Sequence, residues 1–337
     1  MTESQSSSLV TEPLLWQQQE WKRLIERYQA GRLPHALLIS GGEGIGKSHL
    51  AHALTAYLLC RTPSDTACGD CASCQLLAAG SHPDLAEISP ESAGKQIRIE
   101  QIRALQSYVG KTAQQGGFRV VIMQPADAMN QNSANALLKN LEEPGENVLF
   151  VLLTHRISSV LPTIRSRCQQ IALPVPQHDL AVQWLHDNLE SHQALHTEKL
   201  LKMANGNPLM ARQLASDSMH EQRDKLFLLM ESLTRGAEPV ELAPSFQEGD
   251  LQWTLRWMQQ WLADWSSWCL LQQDSEVRFP EMMPLYRHWH KTASLDAARE
   301  LYQRVGELRS QLASGGNPNI QLAIEALLIN WSGKMLV

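Results

Sequence analysis

Gly41-Gly42-Glu43-Gly44-Ile45-Gly46-Lys47-Ser48 satisfies G-x-x-x-x-G-K-[ST] at every fixed position. The run before it, His35 to Ser40, is short and apolar, as a buried strand would be. The run after it, Lys47 to Cys60, repeats Leu50, Ala53, Leu54, Tyr57 and Leu58 at helical spacing. Strand, glycine loop and helix in that order make a phosphate cradle. Glycines let backbone N–H groups turn inward around an anion, and the helix start adds its positive end. In such a loop Lys47 bridges the β- and γ-phosphates and Ser48 ligates Mg²⁺. Gly41, Gly44, Gly46, Lys47 and Ser48 are therefore the candidate residues for ATP and Mg²⁺. The plainer alternative is a glycine turn with no nucleotide, and the flanking strand and helix argue against it.

Outward from the loop, Leu14 to Ala30 places Leu15, Trp21, Leu24, Ile25 and Tyr28 near one helical face, with Gly31 as the stop. Leu85 to Ser89, Arg119 to Met123 and Val148 to Leu153 read as further strands. Ile99 to Val109 and Ser133 to Leu141 read as helices between them. This alternation implies an α/β fold with a mainly parallel sheet. Pro174 and Pro176 mark its end, so residues 1–175 form the first expected domain. Asp179 to Leu189, Thr197 to Ala204 and Leu209 to Ala215 look helical around the turn Gly206-Asn207-Pro208, giving a small helical domain at 176–218. Residues 219–337 are helical throughout, with breaks near Gly236–Pro244, Pro280–Pro284 and Gly315–Pro318. Trp253, Trp257, Trp261, Trp265 and Trp268 recur every three or four residues there. We read them as a packing seam rather than a binding stripe, because the spacing fits the buried face of a helix.

A chain of 337 residues holds two or three domains and a sizeable core. No apolar run approaches the roughly 18 residues of a membrane span. Met1 to Val10 lacks both the basic and the apolar region of a signal peptide. The expected compartment is the cytoplasm. A net charge of −6 argues against a protein that coats nucleic acid through overall electrostatics. Arg98 and Arg103 are candidates for a local DNA contact, with solvated surface charge as the plainer account.

Hydrolysis needs more than a cradle. A phosphate-loop enzyme normally carries an Asp for Mg²⁺, and often a Glu for water, at the end of a later strand. Here Arg119 to Met123 runs into Gln124-Pro125-Ala126-Asp127, so neither position is acidic. Asp127 is displaced by about 10 Å in an extended chain and could serve only if the chain folds back. The expectation is nucleotide binding without hydrolysis.

Cys60, Cys68, Cys71 and Cys74 are spaced C-x7-C-x2-C-x2-C. Two short spacings let three thiolates converge on one ion, and the longer arm brings the fourth. This suits a closed, structural Zn²⁺ site at 60–74. An iron–sulfur cluster is the alternative. His82 stands nearby as an exchangeable ligand or, more plainly, a polar loop histidine. Cys269 has no neighbouring cysteine and reads as core.

Leu161-Pro162-Thr163-Ile164-Arg165-Ser166-Arg167-Cys168, together with Asn135 to Pro144 and Gly31 to Ala36, resembles the clamp-loader branch of the AAA+ family. The four-cysteine insertion narrows the resemblance to the bacterial DNA polymerase III tau/gamma and delta' subunits, and the missing acids at Gln124 and Pro125 favour the delta' side. The resemblance implies an AAA+ P-loop domain, a helical lid at 176–218 and an all-α collar at 219–337 used for oligomerisation. It implies Arg167 as a finger acting in trans on a neighbour's ATP, and Thr154 as the sensor near the γ-phosphate. It also implies tau/gamma and delta as partners, with the β sliding clamp and primer–template DNA met through the assembly. The lid position where hydrolysing members carry a second sensor arginine is here Leu209, with Arg212 almost a turn later. Two rival readings are an independently active AAA+ ATPase that remodels a partner and a zinc-dependent DNA-binding regulator. The missing acids argue against the first and the net charge against the second.

Overall fold

The computed structural model describes residues 9–92, 95–190, 193, 196–313 and 318–336. The start read as lacking a leader and the break read at Gly315–Pro318 fall outside these residues, apart from Leu9, Val10 and Pro318. Chain contacts divide the protein into two compact units, Met1–Asn188 with Gly206–Met210 and Leu189–Asn205 with Ala211–Val337.

The first unit holds five strands: β1 (Ala36–Ser40), β2 (Leu85–Ile88), β3 (Arg119–Met123), β4 (Val148–Thr154) and β5 (Gln169–Ala172). Their order is β2-β3-β4-β1-β5, and every pairing is parallel. β1, β3 and β4 are buried along their whole length, which is why they read as continuous apolar runs. Alternate residues serve opposite faces. Leu37 and Ile39 pack with helix α1 (Gln18–Gln29) and α2 (Lys47–Leu59), whereas Ala36, Leu38 and Phe150 pack with α4 (Ile99–Val109) and α5 (Gln131–Glu142). Short α3 (Ala72–Ala78) follows the cysteine insertion, α6 (Pro162–Arg165) precedes β5, and α7 (His178–Asp187) closes the run. Neither β5 nor α3 is legible in the sequence. β5 reads Gln169-Gln170-Ile171-Ala172 at the sheet edge and buries only Ile171, so it lacks an apolar pattern.

The second unit is helical among the described residues. It includes α8 (Thr197–Met203), and α9 (Pro208–Leu214) spans the boundary between the units. Then come α10 (Asp217–Thr234), α11 (Pro239–Phe246), α12 (Leu251–Leu271), α13 (Met283–Thr292), α14 (Leu295–Ala313) and α15 (Ile320–Met335). Helix α12 packs on α14, and α15 packs on α11 and α14. All five tryptophans of α12 are buried, so the stripe is a packing seam, as its spacing suggested. Trp265 Nε1 donates to Tyr286 O at 3.1 Å and Trp268 Nε1 to Asp274 Oδ1 at 2.8 Å. Buried Asp264 on the same helix accepts from the backbone N–H groups of Arg278 and Phe279 and from Tyr286 Oη, tying the incoming chain to the seam. Cys269 is only half-buried, with Sγ 3.4 Å from His290 Nδ1, so its reading as a core residue is corrected. It lies one position past the buried edge formed by Trp268.

Candidate nucleotide and metal sites

The loop between β1 and α2 has the backbone that its glycines foretold. Gly44 and Gly46 adopt φ of +76° and +90°, a region costly for residues with a Cβ. A Cβ on Gly44 would lie 2.6 Å from Met210 Cβ, and one on Gly46 2.7 Å from Gln17 Nε2 and against Leu14. Neighbouring chain thus covers the loop: Gln17 Nε2 donates to Gly46 O at 2.7 Å and Trp16 Nε1 to Ile45 O at 2.9 Å. Leu209 comes within 3.6 Å of the same Gly46 position, so an apolar group stands where the resemblance implies a sensor arginine.

Lys47 is buried at the start of α2. Its Nζ donates to Gly41 O (2.9 Å), Gly42 O (2.6 Å) and His155 Nδ1 (2.9 Å), one partner for each ammonium hydrogen. Burial pulls its pKa down to about 8, against the opposing pull of the Glu43 and Asp127 carboxylates. A cationic donor inside a glycine cradle at a helix start suits a phosphate. Ser48 Oγ lies 3.2 Å from His52 Nδ1, which also lies 2.7 Å from Ser48 O, while His52 Nε2 reaches Glu87 Oε1 at 2.6 Å. Burial would lower the His52 pKa, but the bonds to Glu87 and Ser48 O outweigh it and raise the value. Glu87 is correspondingly lowered, chiefly by the His52 hydrogen bond.

Past β3 the chain does fold back. Ala126–Ala128 forms a single 3₁₀ turn. Thr154 Oγ1, buried at the end of β4, donates to Asp127 Oδ1 at 2.8 Å. The sheet register sets Thr154 opposite Ser40, the residue before the glycine loop. Asp127 is therefore returned toward the cradle by a contact 27 residues away in sequence, which spacing along one strand could not reveal.

The four cysteines also converge. Their sulfurs all lie within 4.8 Å of one another, with pairs at 3.4 Å (Cys60–Cys68) and 3.9 Å (Cys60–Cys71, Cys68–Cys74). Four thiolates at about 2.3 Å from a tetrahedral zinc stand about 3.8 Å apart, so the set fits such an ion. Cys60 caps the end of α2 and Cys71 the start of α3, and the turn between them uses Gly69 at φ +80°. Hydrogen bonds from the Thr62 side chain, then from the N–H groups of Cys71 and Asp70, hold the Cys68 pKa down to about 6, the ionised form a metal takes. His82 stands outside the four-sulfur cluster, in a loop, as the plainer reading had it. It is buried, with Nε2 2.8 Å from Ser73 Oγ and Nδ1 accepting from Asp84 N at 3.1 Å.

Asp84 carries no signal in the sequence. Its oxygens accept the backbone N–H groups of Gln114 and Gln115 at 2.8 Å, and Arg119, also buried, faces it at 3.4 Å while stacking on Tyr108. An Arg that begins an apolar strand gives no sign of its partner. Arg167 follows α6, half-buried, with Nη2 2.5 Å from Glu142 Oε1 and Nη1 donating to Thr163 O at 3.0 Å. Arg98 is in an exposed ion pair with Glu91 at 3.1 Å and Arg103 is exposed, in keeping with surface charge.

The family profile described as DNA polymerase III, delta subunit, matches residues 16–177, and the corresponding C-terminal profile matches residues 217–333. The chain is 37% identical to DNA polymerase III subunit delta' of Pseudomonas aeruginosa over 321 residues, 94% of this chain and 96% of that one. It is 32% identical to the Yersinia pestis subunit delta' over 323 residues, 94% of each. A DNA polymerase III subunit gamma of Buchnera aphidicola is 25% identical over 337 residues, 93% of this chain and 90% of that one. The parallel α/β unit, the four-cysteine insertion and the helical C-terminal region thus occur in a chain that matches such a subunit over 94% of its length, and the chain belongs to the DNA polymerase III subunit delta' family.

Proposed function

We propose that this chain is a clamp-loader subunit that binds nucleotide without hydrolysing it and lends Arg167 to the ATP site of a neighbouring tau/gamma subunit. The observation that carries the reading is the separation of parts. The phosphate loop is intact, the strand-end positions Gln124 and Pro125 are not acidic, and Arg167 makes its polar contacts with Glu142, Thr163 and Ser166. A planar guanidinium offers fixed donors to charge developing on a γ-phosphate, whichever subunit holds the nucleotide. Thr154 serves as the sensor at this chain's own site. Residues 1–175, 176–218 and 219–337 act as nucleotide domain, lid and oligomerising collar. Tau/gamma and delta are the partners, the β sliding clamp and primed DNA are met through the assembly, and the structural ion at Cys60, Cys68, Cys71 and Cys74 is Zn²⁺. The setting is the cytoplasm, and no helix among the described residues is long and apolar enough to cross a membrane.

The test is reconstitution with tau/gamma and delta. Arg167→Ala should lower the DNA-stimulated ATPase of the assembly while leaving assembly itself intact. An unchanged rate would sink the finger assignment. A second reading, an independently active ATPase, draws on the return of Asp127. It needs a base for water at position 125, where proline stands, and it predicts substantial turnover by the isolated chain.

A further inference from the structure

The end of β3 lacks an acid, yet an acid reaches the same corner of the sheet. Thr154, opposite Ser40 in the register, holds Asp127 Oδ1 at 2.8 Å. The next residue, His155, holds Lys47 Nζ at 2.9 Å. Carboxylate and ammonium are thus anchored on consecutive residues of one strand end, beside the start of the glycine loop. Their separation is short enough for Asp127 to work against the burial that lowers the Lys47 pKa. Of the other acids nearby, Glu43 lies within the glycine loop and also acts on Lys47, and Glu87 is committed to His52 at 2.6 Å.

We propose that Asp127, fixed by Thr154, replaces the missing strand-end acid as the group that holds Mg²⁺, directly or through one water, when the loop carries a nucleoside di- or triphosphate. The proposal rests on the reading of Gly41–Ser48 as a nucleotide cradle. Mg²⁺ keeps several waters and takes one or two carboxylates together with phosphate oxygens, so a single acid near the cradle is sufficient. Hydrolysis makes a second demand, a base that orients water, and Pro125 cannot meet it. The two demands are met by adjacent acids in a hydrolysing loop. Here only the first is met, by Asp127, three positions beyond Gln124.

The experiment is a fluorescence titration of the full chain with N-methylanthraniloyl-ADP, in Mg²⁺ and in EDTA. The unchanged protein should bind about tenfold more tightly in Mg²⁺, a difference of about 1.4 kcal/mol. Asp127→Asn should bring that ratio to near one while binding in EDTA persists, an outcome that general disruption of the loop would not give. Asp127→Glu, which keeps the charge, should restore part of the ratio. Thr154→Val, which releases the carboxylate, should lower it. A ratio unaltered in Asp127→Asn and in Thr154→Val overturns the role of Asp127 and leaves the cradle standing. Absence of binding by the unchanged protein in either buffer overturns both.

Discussion

Arg167 and Glu142 form an ion pair at 2.5 Å that joins the turn before β5 to the last residue of α5. Glu142 lies within the Asn135–Pro144 stretch, and Arg167 within Leu161–Cys168, so two motifs far apart in sequence meet in one contact. Both side chains are partly exposed, and a pair of this kind contributes about 0–1 kcal/mol to stability. Glu142→Ala should therefore barely alter the melting transition. It should reduce the ATPase of the reconstituted assembly by a smaller factor than Arg167→Ala, since the guanidinium remains but loses its support. A Glu142→Ala melting loss larger than that of an ordinary surface substitution would contradict this.

A buried pair behaves differently. Asp84 and Arg119 are both nearly inaccessible, and Asp84 also holds two backbone N–H groups. Asp84→Ala should destabilise the protein by about 3–5 kcal/mol in urea titration, because Arg119 is left charged and unpaired. Arg98→Ala, at an exposed pair, should cost far less.

Metal analysis of the native protein should find one zinc per chain. Cys71→Ser should lower zinc content and folding stability together, because the proposed ion would tie the four thiolates to the turn at Gly69. Full stability in a zinc-free preparation would remove the structural role.

The Lys47 pKa of about 8 sets a sign for pH dependence. A bound phosphate favours the ammonium and raises that value. Nucleotide affinity should then be flat below pH 8 and fall as pH rises through it, and Lys47→Ala should abolish the trend. Stability runs the other way. Between about 8 and the ordinary value of 10.5 the unfolded chain holds more protons than the folded one, so this lysine makes stability rise with pH. The His52–Glu87 pair has a separate window. Its contribution requires Glu87 ionised and His52 protonated, so it is full between the ordinary values of 4.5 and 6.5 and declines on either side. Differential melting of His52→Ala across that range checks it.

Much of this was legible in the sequence because the relevant signals are local. The loop glycines, the apolar runs of β1, β3 and β4, and the cysteine spacing each name their own chemistry. The tryptophans of α12 announced a buried seam by period alone. What was hidden depends on contacts between distant segments. Asp127 looks misplaced until Thr154 holds it, and His155 looks like loop until Lys47 touches it. β5 carries two glutamines on an edge and has no pattern to read. His82 and Asp84 sit in polar sequence, yet both are buried by a hydrogen-bonded chain that runs from Leu59 O through Ser73 to Arg119.

Lys47 gives each of its three hydrogens to a partner within the chain. If the loop takes a phosphate, its entry is accordingly a substitution reaction. An incoming phosphate oxygen would displace a carbonyl or an imidazole, and its affinity would be the small difference between two well-bonded states. On the nucleotide-binding reading, the loop carries its own competitor for the phosphate, and that competitor never leaves.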